Sequence, residues 1–149
     1  MRVVVQRASS AKVEVEGQIV GQMEKGLLVY LGVGDGDTEA DAAFIADKLV
    51  NLRIFSDTAG KMNLSIQDVS GDILLISNFT LHGDCRKGRR LGFDSAAQPE
   101  LANRLYEKTA DLIAQSDIKV EKGIFAAHMH VSSINDGPVT FILDSKKLF

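Results

Sequence analysis

A chain of 149 residues, 45% hydrophobic and 25% charged, has the size of one domain and can bury a core. Its formal net charge of −3 excludes a protein that coats nucleic acid nonspecifically through many basic contacts, while leaving room for a local basic patch. No apolar run is long enough to span a bilayer, the opening residues lack a secretory pattern, and the single cysteine, Cys85, has no internal partner, so the expectation is a soluble cytoplasmic protein with no membrane contact.

In chain order, Arg2 to Arg7 reads as a first strand, followed by a hairpin around Glu16-Gly17-Gln18 where Val13, Val15 and Ile19 alternate with polar residues. Gly26 to Val33 is nearly all apolar, the pattern of a strand buried on both faces. Thr38 with Asp41 forms a capping-box pattern, and Ala42, Ile45, Leu49 and Leu52 then recur at helical spacing, which predicts a helix from about Thr38 to Asn51. After a turn at Asp57 to Gly60, Ile73 to Phe79 reads as a central strand. His82 to Gln98 has no clean period and is expected to be a long surface loop. Pro99 suits a first helical position, and Leu101, Leu105 and Leu112 line one face of a second helix to about Gln115. Ile118 to Glu121, Met129 to Ile134 and Val139 to Leu143 complete the strands, the last two joined by a turn at Asn135 to Pro138. The expected class is α+β: a mostly antiparallel, barrel-like sheet with two main amphipathic helices, in a single domain over residues 1–149.

Several tempting patterns fail on inspection. Gly32-Val33-Gly34 sits where a dinucleotide loop would, but the third glycine position is Asp37 and the surrounding acids would repel a pyrophosphate. Counted as a calcium loop from Asp35, the same stretch has Ala40 and Ala46 where glycine and glutamate belong. His82, Cys85, His128 and His130 are a conceivable zinc set, yet they read more simply as one surface thiol and scattered imidazoles; no metal or cofactor is expected. Cys85 with a histidine could form a nucleophile pair, although nothing in the sequence brings them together.

Two segments carry chemistry. Ser77-Asn78-Phe79-Thr80-Leu81 presents hydroxyls, an amide and an aromatic at a strand end, which serves a small-ligand site as well as it serves an ordinary strand terminus. Asn135-Asp136-Gly137-Pro138-Val139-Thr140 places a proline after a glycine; that bond could be cis and bring two carbonyls side by side, or the segment could be a plain hairpin turn.

With both segments in order, the chain resembles the D-aminoacyl-tRNA deacylases, whose signatures read S-Q-F-T-L and N-x-G-P-V-T. The resemblance spans nearly the whole chain, including Met1 to Arg7, Leu52 to Phe55, Gly60 to Leu64 and Gly123 to Phe125. It departs at Asn78, where the family usually has glutamine, at Leu91 in place of a proline, and at Ala126 and His128 in place of glycine and aspartate.

The resemblance implies a homodimeric editing hydrolase that cleaves the ester of tRNA charged with a D-amino acid or with glycine. Ser77, Phe79 and Thr80 would be catalytic, with backbone N–H donors near Phe79 and Thr80, and Asn78 and Met129 would bind substrate. Gly137 and Pro138 of the partner subunit, as a Gly-cisPro probe, would reject L-residues. Bond breaking would use either Thr80 as nucleophile or water assisted by the terminal ribose 2′-hydroxyl, and the second is favoured because no base neighbours Thr80 in sequence. Arg86, Lys87, Arg89 and Arg90 would contact tRNA phosphates. The competing functions are an editing domain for a wrong L-amino acid and a noncatalytic nucleic-acid-binding module using the basic run.

Overall fold

The computed structural model describes residues 1–149. The chain runs β1 (Arg2–Val15), β2 (Gln18–Met23), β3 (Gly26–Gly32), α1 (Glu39–Asn51), β4 (Phe55–Ser56), β5 (Met62–Leu64) and β6 (Asp72–Ser77). A 3-10 turn (Phe79–His82), α2 (Pro99–Ala114), β7 (Val120–Lys122) and β8 (His130–Asp144) follow.

Burial along β1 explains the architecture. Val3 and Val5 are buried at alternate positions; the pairing register with β8 slips between Gln6 and Ala8, where Ala8 is buried, and again between Ala8 and Ser10, beyond which Ala11 and Val13 are buried. A slip in register changes the face a strand buries, so one strand serves two cores. Val3 and Val5 join Leu27, Val29, Leu31, Ile73 and Leu75 under the helices, where Ile45, Leu49, Leu105 and Ile113 pack. Ala8, Ala11 and Val13 join Met23, Leu28, Leu74 and Ile76 inside the curled sheet. Leu27 to Leu31 of β3 and Ile73 to Ile76 of β6 therefore show no polar alternation, because their alternate residues point into different cores, and each buried leucine contributes about 1.5–3 kcal/mol relative to exposure.

β1 pairs antiparallel with β2, β3 and β8, whereas β3 with β6 and β6 with β7 are parallel. The mixed sheet is thus antiparallel around β1, and α1 and α2 lie within the connections between its parallel strands. A Cβ on Gly21 would meet the Lys122 carbonyl oxygen at 2.6 Å, so the absent side chain lets β2 lie against β7 and nearly closes the barrel.

The helices begin as their sequences predict. The Thr38 N–H donates to Asp41 Oδ2 at 2.8 Å, completing the box ahead of α1, and Pro99 opens α2.

Two expectations are corrected. The opening strand does not stop at Arg7 but continues to Val15, bent at its bulges. Met129 to Leu143 is not a hairpin: both halves belong to β8 and both pair with β1. Gln6 faces Thr140 and Ala8 faces Asn135, so Asp136, Gly137, Pro138 and Val139 stand opposite Arg7 alone and are extruded from the strand. Asn135 Nδ2 donates to the carbonyls of Arg7 (2.9 Å) and Val139 (3.0 Å), closing the base of this extrusion, and the Gly137-Pro138 bond is cis.

Candidate active site

The site begins where β6 ends. The Asn78 N–H donates to Leu31 O at 2.8 Å, continuing the ladder one residue past β6, and the backbone then tightens into the 3-10 turn. Asn78 Oδ1 caps this turn, accepting from the Thr80 N–H at 3.3 Å and from the Thr80 hydroxyl at 2.5 Å. The backbone N–H can only donate, which fixes the amide oxygen, not its nitrogen, toward Thr80 and makes the hydroxyl the donor in the second bond. Phe79 is turned outward, 55% exposed, with its ring edge-on to Phe93 at 5.0 Å. His82 is buried at the end of the turn, its ring nitrogen 3.2 Å from Gly32 O, and burial pushes its pKa below the ordinary imidazole value.

Ser77, Asn78, Phe79 and Thr80 form one wall of a cleft of about 690 Å3. Tyr30, Ile76, Met129 and Val131 form the part nearest the barrel core; Phe93, Ala96, Ala97 and Pro99 come from the long loop and the start of α2; Phe125 to His128 complete the rim. Gly123 has no side chain where a Cβ would meet Met129 Sδ at 2.5 Å, which lets the thioether lie in place. No aspartate, glutamate, lysine or arginine lines the cleft. Its titratable groups are Tyr30, whose pKa burial raises so that the phenol stays neutral, and the exposed His128. Such a cleft can hold an uncharged ester group between hydroxyls, an amide and apolar walls.

The charges are gathered elsewhere. The α-ammonium of Met1 pairs with buried Asp37 at 2.7 Å, Arg2 pairs with Asp144 at 2.9 Å, and Asp41 accepts from Ser145 (2.6 Å) and Lys146 (2.9 Å). Burial alone would raise the Asp41 pKa, but the hydrogen bonds from Ser145, Lys146 and Thr38 prevail and hold it well below the ordinary carboxylate range. Arg2 also donates to Leu81 O at 3.2 Å, which braces the turn carrying Phe79 and Thr80. A second groove, about 720 Å3 and polar, lies between Ser10 to Lys12, Gln22 to Glu24 and Ser132 to Ile134; it gathers none of the motif residues.

Of the residues singled out in the sequence, Ser77, Asn78, Phe79, Thr80 and Met129 meet in the cleft. Gly137 and Pro138 do not line the cleft of their own chain and are exposed on the extrusion. Arg86, Lys87, Arg89 and Arg90 are exposed on the loop and also lie outside the cleft lining. Arg86 is tied to Asp84 at 2.9 and 2.7 Å, and these bonds bring the Asp84 pKa down to about 2. His82, Cys85, His128 and His130 are not gathered into one ligand group. Tyr30, Phe93, Ala96 and Ala97 were not marked by the sequence; a lone tyrosine in an apolar strand was the only signal available for the first.

Residues 4–144 match the family model described as D-Tyr-tRNA(Tyr) deacylase. Similar proteins named D-aminoacyl-tRNA deacylase include those of Fervidobacterium nodosum, 58% identical, and Thermosipho africanus, 55% identical, each over 100% of both chains. Among solved structures, one titled c-Myc DNA Unwinding Element Binding Protein superposes with a TM-score of 0.91 at 34% identity, covering 97% of this chain and 98% of that one. A probable eukaryotic D-amino acid tRNA deacylase shares the fold, with a TM-score of 0.81 at 18% identity over 95% and 97% of the two chains. By class, then, this is a hydrolase. The chain belongs to the D-Tyr-tRNA(Tyr) deacylase family.

Proposed function

We propose that the protein removes D-amino acids, and glycine, from tRNA by hydrolysing the 3′ aminoacyl ester. The observation that carries this reading is the uncharged cleft assembled by Ser77 to Thr80 and Met129 in a chain of this family. The ester function is neutral and so suits a cleft without fixed charge, and the Phe79 N–H at the start of the turn would serve a developing oxyanion, the Thr80 N–H being taken by Asn78 Oδ1.

The Thr80 hydroxyl faces an amide oxygen, which orients it but cannot take its proton. An unactivated hydroxyl is a weak nucleophile, which favours attack by water with help from the terminal ribose 2′-hydroxyl. Selection against L-residues rests on a second copy. Gly137 and Pro138 are exposed, stand outside their own cleft and are carried on an extrusion whose base is pinned by Asn135 and Arg7, so in a homodimer they would enter the partner's cleft. β8 also presents Ile134 and Ile142, 63% and 53% exposed, which a second subunit would cover. Glycine, having no side chain, would escape such a steric filter. Lys87, Arg89 and Arg90 would meet tRNA phosphates beyond the cleft.

The test is the time course of D-Tyr-tRNA and L-Tyr-tRNA hydrolysis by EDTA-treated protein. Loss of the D-ester alone is expected; no cleavage above buffer, with salt-sensitive binding of uncharged tRNA, would leave a nucleic-acid-binding module instead. In the same assay Pro138→Ala should relax discrimination against the L-ester at least tenfold while changing the D-rate less, and equal loss of both would remove the steric filter.

A further inference from the structure

The two backbone donors expected near the ester carbonyl, the N–H groups of Phe79 and Thr80, are not equivalent in the folded chain. The Thr80 N–H donates to Asn78 Oδ1 at 3.3 Å, and the same oxygen takes the Thr80 hydroxyl proton at 2.5 Å. Asn78, Phe79 and Thr80 all line the cleft, and Thr80 is exposed.

This side-chain cap is not what holds the turn. The Asn78 N–H anchors its start on Leu31 O at 2.8 Å, the Leu81 N–H meets Asn78 O at 3.4 Å, and the Gly83 N–H closes it on Thr80 O at 2.9 Å. Arg2 braces Leu81 O from outside at 3.2 Å. β3 packs against the turn through Gly32, where a Cβ would meet Asn78 O at 2.9 Å and Leu81 Cβ at 3.0 Å. What the Asn78 amide adds is an acceptor for two groups that otherwise face the substrate. Asparagine suits this bond because its carbonyl reaches the N–H two residues on; glutamine, one methylene longer, is not among the residues that favour it.

We propose that Asn78 is a positioning residue that limits the oxyanion site to one backbone donor by occupying the Thr80 N–H, and that the glutamine usual at this position in the family would leave two. This rests on the ester-hydrolysis reading above. A preorganised donor stabilises the charge that develops on the carbonyl oxygen more than it stabilises the neutral ground state. Releasing the Thr80 N–H should therefore raise turnover and tighten binding of a tetrahedral mimic, with ground-state binding nearly constant. A purely structural cap predicts the opposite sign, because a loosened turn would misplace the Phe79 N–H and lower both.

The experiment compares wild type with Asn78→Gln, Asn78→Ala and Asn78→Asp. It measures kcat and KM on D-Tyr-tRNA and the affinity for two non-hydrolysable adenosine probes. One probe carries D-tyrosine through a 3′-amide; the other has a phosphonate in place of the ester carbonyl. Asn78→Gln and Asn78→Ala should each raise kcat and phosphonate affinity about tenfold, with KM and amide affinity within about twofold of wild type. Asn78→Asp keeps the acceptor and should show no gain. By NMR, the Thr80 amide proton should exchange faster in the Gln and Ala variants, while those of Leu81 and Gly83 keep their protection. An unchanged or lower kcat in folded Asn78→Gln and Asn78→Ala, or an equal change in affinity for both probes, overturns the proposal. Failure of the wild type to hydrolyse D-Tyr-tRNA would instead strike the deacylase reading, and amide exchange would still decide whether Asn78 holds the Thr80 donor.

Discussion

The cleft and the charged junction behind it use opposite materials. Residues 77–80 and the walls around them carry hydroxyls, an amide and rings but no fixed charge, whereas Met1, Arg2, Asp37, Asp41, Asp144 and Lys146 form a run of ion pairs packed where β1, β8 and the start of α1 converge. The two regions touch through Arg2 and Leu81 O. The difference teaches that charge at the junction fixes backbone position, while the cleft is lined without fixed charge.

That contrast predicts that mutations in the junction act on stability and mutations in the cleft act on rate. The largest effect should come from Asp37→Ala, which strands a buried ammonium and leaves the Gly34 N–H without its 2.6 Å acceptor; a loss of about 3–5 kcal/mol is expected by denaturant unfolding. Asp41→Asn should cost about 1–3 kcal/mol at neutral pH. The folded Asp41 carboxyl titrates below its unfolded value, so its stabilisation is complete above the ordinary carboxylate pKa of about 4 and is lost as pH falls below it. The gap between wild type and Asp41→Asn should therefore narrow in acid, and a constant gap would count against the assigned hydrogen bonds. Tyr106→Phe removes a buried hydroxyl that donates to Leu75 O at 2.8 Å and should cost about 1 kcal/mol in thermal or denaturant melts. The smallest stability change is expected for Thr80→Val, whose kcat should fall by less than about tenfold, or about 1.4 kcal/mol in barrier. Complete loss of turnover in folded Thr80→Val protein would make Thr80 the nucleophile and overturn the contrast.

Much of this organisation was legible in the sequence because it is local. The Thr38-Asp41 box, the proline before α2 and the apolar spacing of both helices act within a few residues. β3 and β6 were legible through the lack of alternation that two-sided burial produces. The β8 extrusion was not, since Asn-Asp-Gly-Pro suits a hairpin turn as well as a wide bulge, and only pairing with β1, more than a hundred residues away, decides between them. The same limit applies to the cleft. Ser77 to Thr80 and Met129 belong to recognisable segments, but Phe93, Ala96 and Ala97 reach it from a loop without a period, guided by bonds such as Ala97 N–H to Val33 O at 3.0 Å.

The seam at Gly21 has a consequence for the chamber itself. Leu74 lies 3.2 Å from where a Gly21 Cβ would be, and Leu74, with Ile76, belongs to the small cluster on which Tyr30, Met129 and Val131 rest. The calibre of the cleft is thus gauged across the barrel by an atom the chain leaves out: any side chain at Gly21 would act as a shim between β2 and β7, and the spacing it added would pass through Leu74 to the cleft floor.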